Sequence, residues 1–426
     1  MKTRTARSDC KRWRLVARSL VVVVLLALTP RGASGQDPTP VTASPAAATI
    51  TAAIEAFYQP PVPLPSGEPG TLLRREPLSA PEGIRAWRIL YLSTGLDGKP
   101  VALSGAVFAP DAPAPTVGFP LIAMGHNTTG TARQCAPSLD PFQPQFGGED
   151  AFFAQQVAGF VTGGFAVVAT DYQGLGAPGD HPFLVGEIAA HNVLDAARAA
   201  RALPDLALAP STLLWGHSQG GHAAAWAGQL APVYAPDLVV AGVILAAPAA
   251  EPGLVLAAAT SGPPEPTPLT GYIVTLVASW SSVYPELAAA PALTDAALTR
   301  IDLLETECIP TVAADFADRP LADYVDVAVL QASPWSERIE QNAAGRQPIA
   351  APVLVLQGAA DPLVPVAVTD AFVARLRAAG TSVDYIVYPG VAHGAVIAAA
   401  MPDILAWSAD RMAGDPSTST CATDSA

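Results

Sequence analysis

Short continuous apolar runs alternate with helical segments along most of this chain, and this alternation constrains its fold more than any other feature. Runs without a polar residue at every second position are typical of strands that are buried on both faces. The alternation predicts an α/β fold with a mostly parallel central sheet and helices on both faces. The predicted strands span residues 87–93, 101–108, 121–124, 165–170, 213–215, 238–245, 353–356 and 383–387.

Residues 249–345 interrupt the alternation, because they carry Pro263-Pro264, several short helical patterns and few strand signals. We interpret this stretch as a helical cap inserted between two strands. The α/β core is then divided into a first part, 81–248, and a second part, 346–412. Residues 36–80 are rich in proline and alanine and are predicted to form an N-terminal extension, and residues 413–426 a flexible tail.

The first 35 residues have the organisation of a secretory signal peptide. A basic segment precedes the nine-residue apolar run 20–28, and the small residues Ala33-Ser34-Gly35 follow it. Because a membrane-spanning helix needs about 20 apolar residues, we expect cleavage near Gly35 and a secreted, extracellular protein. An uncleaved membrane anchor is the alternative.

The chain is acidic, with a formal net charge of −14. The predicted signal peptide contains eight of the basic residues and one acidic residue, so the mature chain carries −21 and keeps a single lysine, Lys99. A surface of this charge disfavours nucleic acids and anionic lipid headgroups as partners. It is compatible with neutral small-molecule or lipid esters and with transient contact at lipid interfaces.

Three cysteines remain beyond the predicted signal peptide, Cys135, Cys308 and Cys421, and their spacing matches no zinc-binding pattern. An exported protein meets an oxidising compartment, where disulfides form. We therefore predict one disulfide, between Cys135 and Cys308, with three unpaired thiols as the alternative.

The pentapeptide Gly216-His217-Ser218-Gln219-Gly220 matches the G-x-S-x-G pattern and lies between a predicted strand and an alanine-rich helix. In that setting the serine occupies a tight turn that exposes its hydroxyl, and glycines remove side chains that would collide with neighbouring backbone. The N-terminus of the following helix favours developing negative charge. We interpret Ser218 as a nucleophile and the backbone N–H of Gln219 as an oxyanion donor.

A serine hydroxyl needs a base to become a strong nucleophile. Only His393 follows the serine at long range, in the loop between the last strand and the last helix. His217 and His222 flank the serine too closely to face its hydroxyl, so we expect them to pack or hydrogen-bond around the turn. Asp361, directly after the strand 353–356, is predicted to orient the base. Weaker candidates for that acid are Asp370, Asp384 and Asp403.

The second oxyanion donor is left open between two loops. The loop 125–130 follows the third core strand, which is the usual source of this donor. Asp171 ends the next strand, but an ionised carboxylate would repel an oxyanion, so it could act only when protonated or through its backbone N–H. A turn-capping role is the other interpretation of Asp171.

These features together resemble the secretory lipases, the family that includes the fungal lipase A enzymes and many exported bacterial lipases. The resemblance implies an α/β-hydrolase core with a helical cap, and hydrolysis of fatty acyl esters without a cofactor; we expect no metal site. It assigns Ser218, Asp361 and His393 as the catalytic triad, and it gives Asp171 an oxyanion role beside the N–H of Gln219. The stretches that carry it are 57–70, 91–110, 130–138, 170–186, 216–221 and the loops around Asp361 and His393.

The sequence thus predicts a secreted serine ester hydrolase, a lipase or carboxylesterase that cleaves acyl esters, with acylglycerols expected, through an acyl-enzyme. A peptidase or amidase, an acyltransferase, and a catalytically silent binding module on the same fold are the alternatives left open. The oligomeric state is also open. In the cap, Tyr272, Trp280 and Tyr284 are expected to line an apolar acyl pocket, with ordinary core packing as the alternative.

Overall fold

The computed structural model describes residues 55–142, 151–261 and 264–415. The predicted signal peptide and the predicted tail beyond residue 415 lie outside these ranges. The described chain is built around one nine-stranded sheet. Its strands are β1 (Leu72–Leu78), β2 (Ile84–Thr94), β3 (Pro100–Pro110), β4 (Phe119–Gly125), β5 (Ala166–Thr170), β6 (Leu208–His217), β7 (Val239–Ala246), β8 (Val353–Gly358) and β9 (Val383–Tyr388).

The strands are arranged in the order β1-β2-β3-β5-β4-β6-β7-β8-β9. The first three form an antiparallel meander, and β3 also pairs antiparallel with β5. Every pair from β5 to β9 is parallel, which confirms the predicted mostly parallel sheet. In such a sheet the carboxyl ends of neighbouring strands share one edge, and the loops that leave this edge build the site.

Helices lie on both faces of the sheet, and further helices form a segment between β7 and β8; a single helical turn at 55–58 precedes the sheet. They are α1 (Ala151–Thr162), α2 (Gly186–Arg201), α3 (Gln219–Tyr234), α4 (Pro252–Thr260), α5 (Leu269–Val283), α6 (Ala289–Ala292), α7 (Asp295–Leu298), α8 (Leu303–Thr306), α9 (Ile309–Asp315), α10 (Val327–Leu330), α11 (Trp335–Gln341), α12 (Val366–Ala378) and α13 (Ala395–Ala413).

Two apolar layers enclose the parallel strands because successive side chains of a strand point to opposite faces. On β6, Leu214 belongs to the apolar layer that includes residues of α2, α3 and α12, whereas Leu213 and Trp215 belong to the layer on the other face, with residues of α1 and α13. The indole N–H of the fully buried Trp215 donates to Gln156 Oε1 on α1 at 2.7 Å. The continuous apolar character of these strands therefore reflects burial on both sides.

One strand was not predicted from the sequence. β1 lies within the segment 36–80, and it pairs antiparallel with β2 at the edge of the sheet. Its sequence, LLRREPL, is half-buried and carries charged residues at its centre. An edge strand with solvent on one side needs no continuous apolar run, so the pattern that revealed the central strands is absent here.

Between β7 and β8 the described residues form the helices α4 to α11, one 3₁₀ turn (Leu321–Asp323) and two isolated β-bridges. This segment corresponds to the predicted insertion at 249–345, and it has its own apolar core around Trp280, Phe316 and Tyr324. The same cluster includes Val185 and Ile188, so the insertion rests on the start of α2. None of the helices in the described ranges combines the length and apolarity of a membrane span.

The predicted disulfide between Cys135 and Cys308 is confirmed. It links the loop after β4 to the start of α9, and backbone contacts reinforce the link. Ile309 N–H donates to the Thr129 carbonyl at 2.8 Å, and Thr131 Oγ1 donates to the Leu304 carbonyl at 2.9 Å. The inserted segment and the loop after β4 are thus held together covalently and by hydrogen bonds.

Removing this disulfide is expected to lower the free energy of unfolding by about 2–5 kcal/mol, because the bond closes a long loop in the unfolded chain. The two cysteines are 173 residues apart. We expect Cys135→Ala, Cys308→Ala and the double variant to be destabilised to the same extent in urea titrations, since either change removes the bond. Destabilisation that adds up from the two single variants would contradict this explanation.

Candidate active site

The backbone at Ser218 has an unusual conformation. Ser218 joins the end of β6 to the start of α3 with φ 57° and ψ −118°, a region that costs a non-glycine residue about 1–3 kcal/mol. Its N–H donates to the Ala246 carbonyl at 3.0 Å, and its own carbonyl accepts from the Ala249 N–H at 3.0 Å. These bonds to the end of β7 hold the strained turn in place.

The two outer glycines of the pentapeptide are required by close backbone contacts. A Cβ atom at Gly216 would lie 1.9 Å from the Gly220 carbonyl oxygen. A Cβ atom at Gly220 would lie 1.9 Å from the Gly125 carbonyl oxygen at the end of β4. The G-x-S-x-G pattern is therefore a steric condition for this turn.

The predicted base and the predicted acid are hydrogen-bonded to each other. His393 Nδ1 lies 2.7 Å from Asp361 Oδ2. The other carboxylate oxygen, Oδ1, accepts the N–H groups of Leu363 and Val364 at 2.9 and 2.8 Å, and Gln357 Nε2 donates to Oδ2 at 3.1 Å. Asp361 thus has a donor on each oxygen, while the His393 side chain keeps a small exposed fraction of 12%.

Opposing effects set the pKa of Asp361. Burial raises it, but the hydrogen bond and charge of His393 and the N–H groups of Val364 and Leu363 outweigh burial, so the pKa lies below its ordinary value. An ionised carboxylate can only accept hydrogen bonds, so Nδ1 of His393 carries a hydrogen. Nε2 of the neutral ring is then free of its proton and can accept one.

The three predicted residues follow the carboxyl ends of β6, β8 and β9, which are parallel members of the same sheet. Direct contact between the serine turn and the histidine loop runs through His217, whose Nε2 lies 3.0 Å from the His393 carbonyl oxygen. The rivals for the acid lie elsewhere: Asp370 accepts from Tyr385, Asp384 from Trp407, and Asp403 from Tyr388.

The structure does not support the oxyanion role that the sequence suggests for Asp171. Its backbone N–H donates to the Ser104 carbonyl at 2.9 Å. Its carboxylate accepts from Ser104 Oγ at 2.6 Å and from the backbone N–H of Ser138 at 2.9 Å, as well as from Ser138 Oγ. The backbone N–H and the carboxylate of Asp171 are therefore both used in contacts with β3 and the loop after β4. Burial raises the pKa of this carboxyl.

Gln219, the residue after the serine, is the first residue of α3 and is buried. Its side chain is fixed through His181, because Gln219 Nε2 lies 3.3 Å from His181 Nε2. His181 Nδ1 in turn lies 2.8 Å from the Gln173 carbonyl and must donate to it. Burial lowers the pKa of His181 to about 4, so its Nε2 accepts the amide hydrogen of Gln219.

A cavity opens at Ser218 and Gln219. Thr128 borders it from the loop after β4, and the remaining wall is largely aliphatic. Of the three aromatic residues predicted to line it, only Tyr272 does so. Trp280 and Tyr284 pack in the core of the inserted segment, where the Trp280 indole donates to the Phe183 carbonyl. The other lining residues are Phe183, Leu184, Ala249, Pro252, Val255, Leu256, Leu269, Ile273, Leu276, Leu330, Ile339, Leu363 and Val364.

Potential metal ligands are dispersed. In the portions of the chain that the structure describes, no three His, Cys, Asp or Glu side chains are grouped so that they could hold a metal ion.

Comparison with known proteins gives consistent matches. This chain is 28% identical to a probable inactive lipase of Mycobacterium tuberculosis, and the alignment covers 85% of this chain and 82% of that relative. It is 27% identical to lipase A of Arthroderma benhamiae, and the alignment covers 86% of this chain and 81% of that relative. The closed-state structure of Candida antarctica lipase A aligns with a TM-score of 0.72 at 20% identity, covering 86% of this chain and 87% of that one.

The structural match shows a lipase A-like α/β-hydrolase fold, which confirms the predicted fold class. The secretory lipase family model matches residues 153–420. This range begins in α1 and contains the Ser218 turn, the inserted helices and the loops of Asp361 and His393. Since it covers more than half of the sequence, this chain belongs to the secretory lipase family.

Proposed function

We propose that this protein hydrolyses carboxylic esters through an acyl-enzyme, with Ser218 as the nucleophile, His393 as the base and Asp361 as the residue that orients it. The observation that carries the proposal is the 2.7 Å hydrogen bond between His393 Nδ1 and Asp361 beside a strained serine turn. Membership of a lipase family supports a lipase-type hydrolase. The serine mechanism and the substrate class are the parts that we add.

In the first step Ser218 Oγ attacks the ester carbonyl carbon while His393 Nε2 takes the hydroxyl proton. The ionised Asp361 stabilises the imidazolium that forms. His393 then returns the proton to the leaving alcohol as the carbon–oxygen bond breaks. A water molecule then attacks the acyl carbon while His393 removes its proton. The acyl–serine bond breaks, the proton passes from His393 to Ser218 Oγ, and the acid leaves.

We assign the oxyanion to the N–H of Gln219 and to the backbone of the loop after β4 at Thr128. Gln219 begins α3, whose N-terminus favours negative charge. Thr128 borders the same cavity as Ser218 and Gln219, whereas the N–H of Asp171 already has a partner. In related acyl-transfer enzymes one such donor contributes about 3–4 kcal/mol to the reaction.

The cavity favours an acyl chain as the occupant. Leucine, isoleucine and valine side chains from α4, α5 and α11 face it and offer no hydrogen-bond partners. Burying peptide groups against such a wall would leave them unsatisfied at a cost of about 1–3 kcal/mol each. Esters of fatty acids, including acylglycerols, fit this surface better than peptides do.

Val255→Trp is expected to shorten the preferred acyl chain, because Val255 on α4 lines the cavity and a larger side chain would fill part of it. We expect kcat/KM for a p-nitrophenyl dodecanoate to fall about 10-fold or more and that for the acetate to stay within about threefold. Leu254→Trp is the matched control, since Leu254 lies on the same helix and is exposed. An equal effect of both variants, or an equal loss on both esters, would reject the assignment.

The alternatives are separated by a substrate panel. The purified protein is assayed with p-nitrophenyl esters from acetate to palmitate, with triglycerides and with aminoacyl amides. We expect ester hydrolysis that depends on Ser218. Turnover of amides alone would favour a peptidase, and accumulation of transesterified product in added alcohol would favour an acyltransferase. Complete inactivity would make the chain a silent member, a case with precedent because one relative is named a probable inactive lipase.

We also propose that the mature protein is secreted and begins near Gln36. The support is the basic, apolar and small-residue order of the first 35 residues and membership of a family of secretory lipases. N-terminal sequencing of the protein recovered from culture medium tests this. Recovery of the intact N-terminus in the membrane fraction would contradict it.

A further inference from the structure

His217 precedes the proposed nucleophile and is the last residue of β6. Its side chain is buried and points towards the histidine loop. Nε2 lies 3.0 Å from the His393 carbonyl oxygen, and the centres of the two rings are 4.6 Å apart. A residue adjacent to the serine therefore contacts the backbone of the residue that must take the proton of the serine.

The direction of this hydrogen bond follows from its acceptor. A carbonyl oxygen can only accept, so Nε2 of His217 carries the hydrogen and donates it. Burial is the main cause that lowers the pKa of His217 to about 3, and the neighbouring His393 is the second cause. The His217 ring is thus neutral above that pH, and it adds no positive charge beside the imidazolium that forms at His393 during the reaction.

The backbone around His393 is held on its other sides as well. The Ala360 N–H donates to the Val391 carbonyl at 2.9 Å, and the Ala359 N–H donates to the Tyr388 carbonyl at 2.9 Å. Gly394 packs so closely on the Phe152 ring that a Cβ atom would lie 2.1 Å from it. Of these contacts with the histidine loop, only the hydrogen bond from His217 joins the loop to the serine turn.

We propose that His217 is a positioning residue that sets the distance between nucleophile and base by holding the His393 backbone against the Ser218 turn. The inference rests on the proposed ester hydrolysis and adds a residue that the serine motif leaves unspecified. Its physical basis is that proton transfer requires accurate geometry, and a misplacement of about 1 Å can lower a rate about 100-fold.

The test compares His217→Leu, which removes the donor, with His217→Gln, whose terminal amide nitrogen can reach the same carbonyl. We expect His217→Leu to lower kcat for p-nitrophenyl butyrate about 10- to 100-fold with KM within about twofold. His217→Gln is expected to restore kcat to within about fivefold of the wild-type value. If the leucine variant does not fold, His217→Asn, whose shorter amide does not reach, replaces it.

His222→Leu is the matched control for a purely structural effect. His222 is also buried beside the serine turn, and its Nε2 lies 2.8 Å from the Asn342 carbonyl, which is not part of the histidine loop. We expect His222→Leu to lower Tm about as much as His217→Leu does and to leave kcat within about twofold.

Two results would overturn the inference while leaving the proposed function intact: a His217→Leu variant with kcat within twofold of wild type, or equal kcat losses in the His217→Leu and His217→Gln variants. A wild-type protein that neither hydrolyses esters nor reacts with a phosphonate ester at Ser218 would overturn the proposed function, and the inference with it.

Discussion

Ser218→Ala will lower kcat/KM for p-nitrophenyl butyrate by at least about 10⁴-fold and leave the protein folded. The size follows from related serine hydrolases, in which loss of the nucleophile removes the covalent route and leaves only the contribution of binding and the oxyanion donors. The hydroxyl oxygen is the single atom removed, so the hydrogen bonds of the Ser218 N–H and carbonyl to Ala246 and Ala249 remain. Steady-state kinetics and a thermal unfolding curve on the same preparation measure both quantities.

Ser218→Gly serves as the control for the state of the turn. Glycine tolerates the positive φ of 57° at this position, so this variant should be inactive as well but more stable than Ser218→Ala by about 1 kcal/mol. Residual activity in the alanine variant above about one-hundredth of wild type, after removal of contaminating esterases, would contradict the assignment of the nucleophile.

Asp361→Asn is the second large effect that we expect, with kcat lower by about 10³- to 10⁴-fold. In a serine protease the same kind of change costs about 10⁴-fold, because the amide no longer fixes the correct tautomer of the histidine. Here the carboxylate accepts from Leu363, Val364 and His393. An amide group offers one acceptor oxygen in place of two, so at least one of these donors loses its partner.

The same residue gives a prediction on pH. The pKa of Asp361 is lowered from 3.8 in the folded state, since the His393 and backbone hydrogen bonds outweigh burial. Its contribution to stability is therefore complete above pH 3.8 and is lost as the pH falls through the lower folded pKa. Urea titrations at pH 7 and pH 3 should show the wild type more stable than Asp361→Asn at pH 7, with a smaller difference at pH 3. A difference that does not change with pH would contradict this.

The sequence reveals the parts of the site that depend on local conditions. The glycines of the Ser218 turn are visible because backbone atoms approach them within a distance that no Cβ atom tolerates. Strands β4 to β8 can be recognised in the sequence because burial on both faces requires continuous apolar runs. The positions of Asp361 and His393 follow from the order of the loops along the chain.

The contacts of Asp171 could not be predicted in this way. Its partners, Ser104 and Ser138, are 67 and 33 residues away, and nothing local shows that its N–H and carboxylate turn towards them. The same limit applies to Trp280 and Tyr284, which pack in the core of the inserted segment and not at the cavity. The contact of His217 with the His393 carbonyl spans 176 residues. Its proximity to the serine excludes it as the base but gives no sign of this role.

The most direct test of the account is to identify the residue that reacts covalently. The protein is treated with a fluorophosphonate, digested and analysed by mass spectrometry, with the Ser218→Ala and His393→Ala variants in parallel. We expect one phosphonyl group on Ser218 in the wild type, none in Ser218→Ala and much slower labelling in His393→Ala. A wild-type protein that hydrolyses esters but carries the label elsewhere, or carries none, would contradict it.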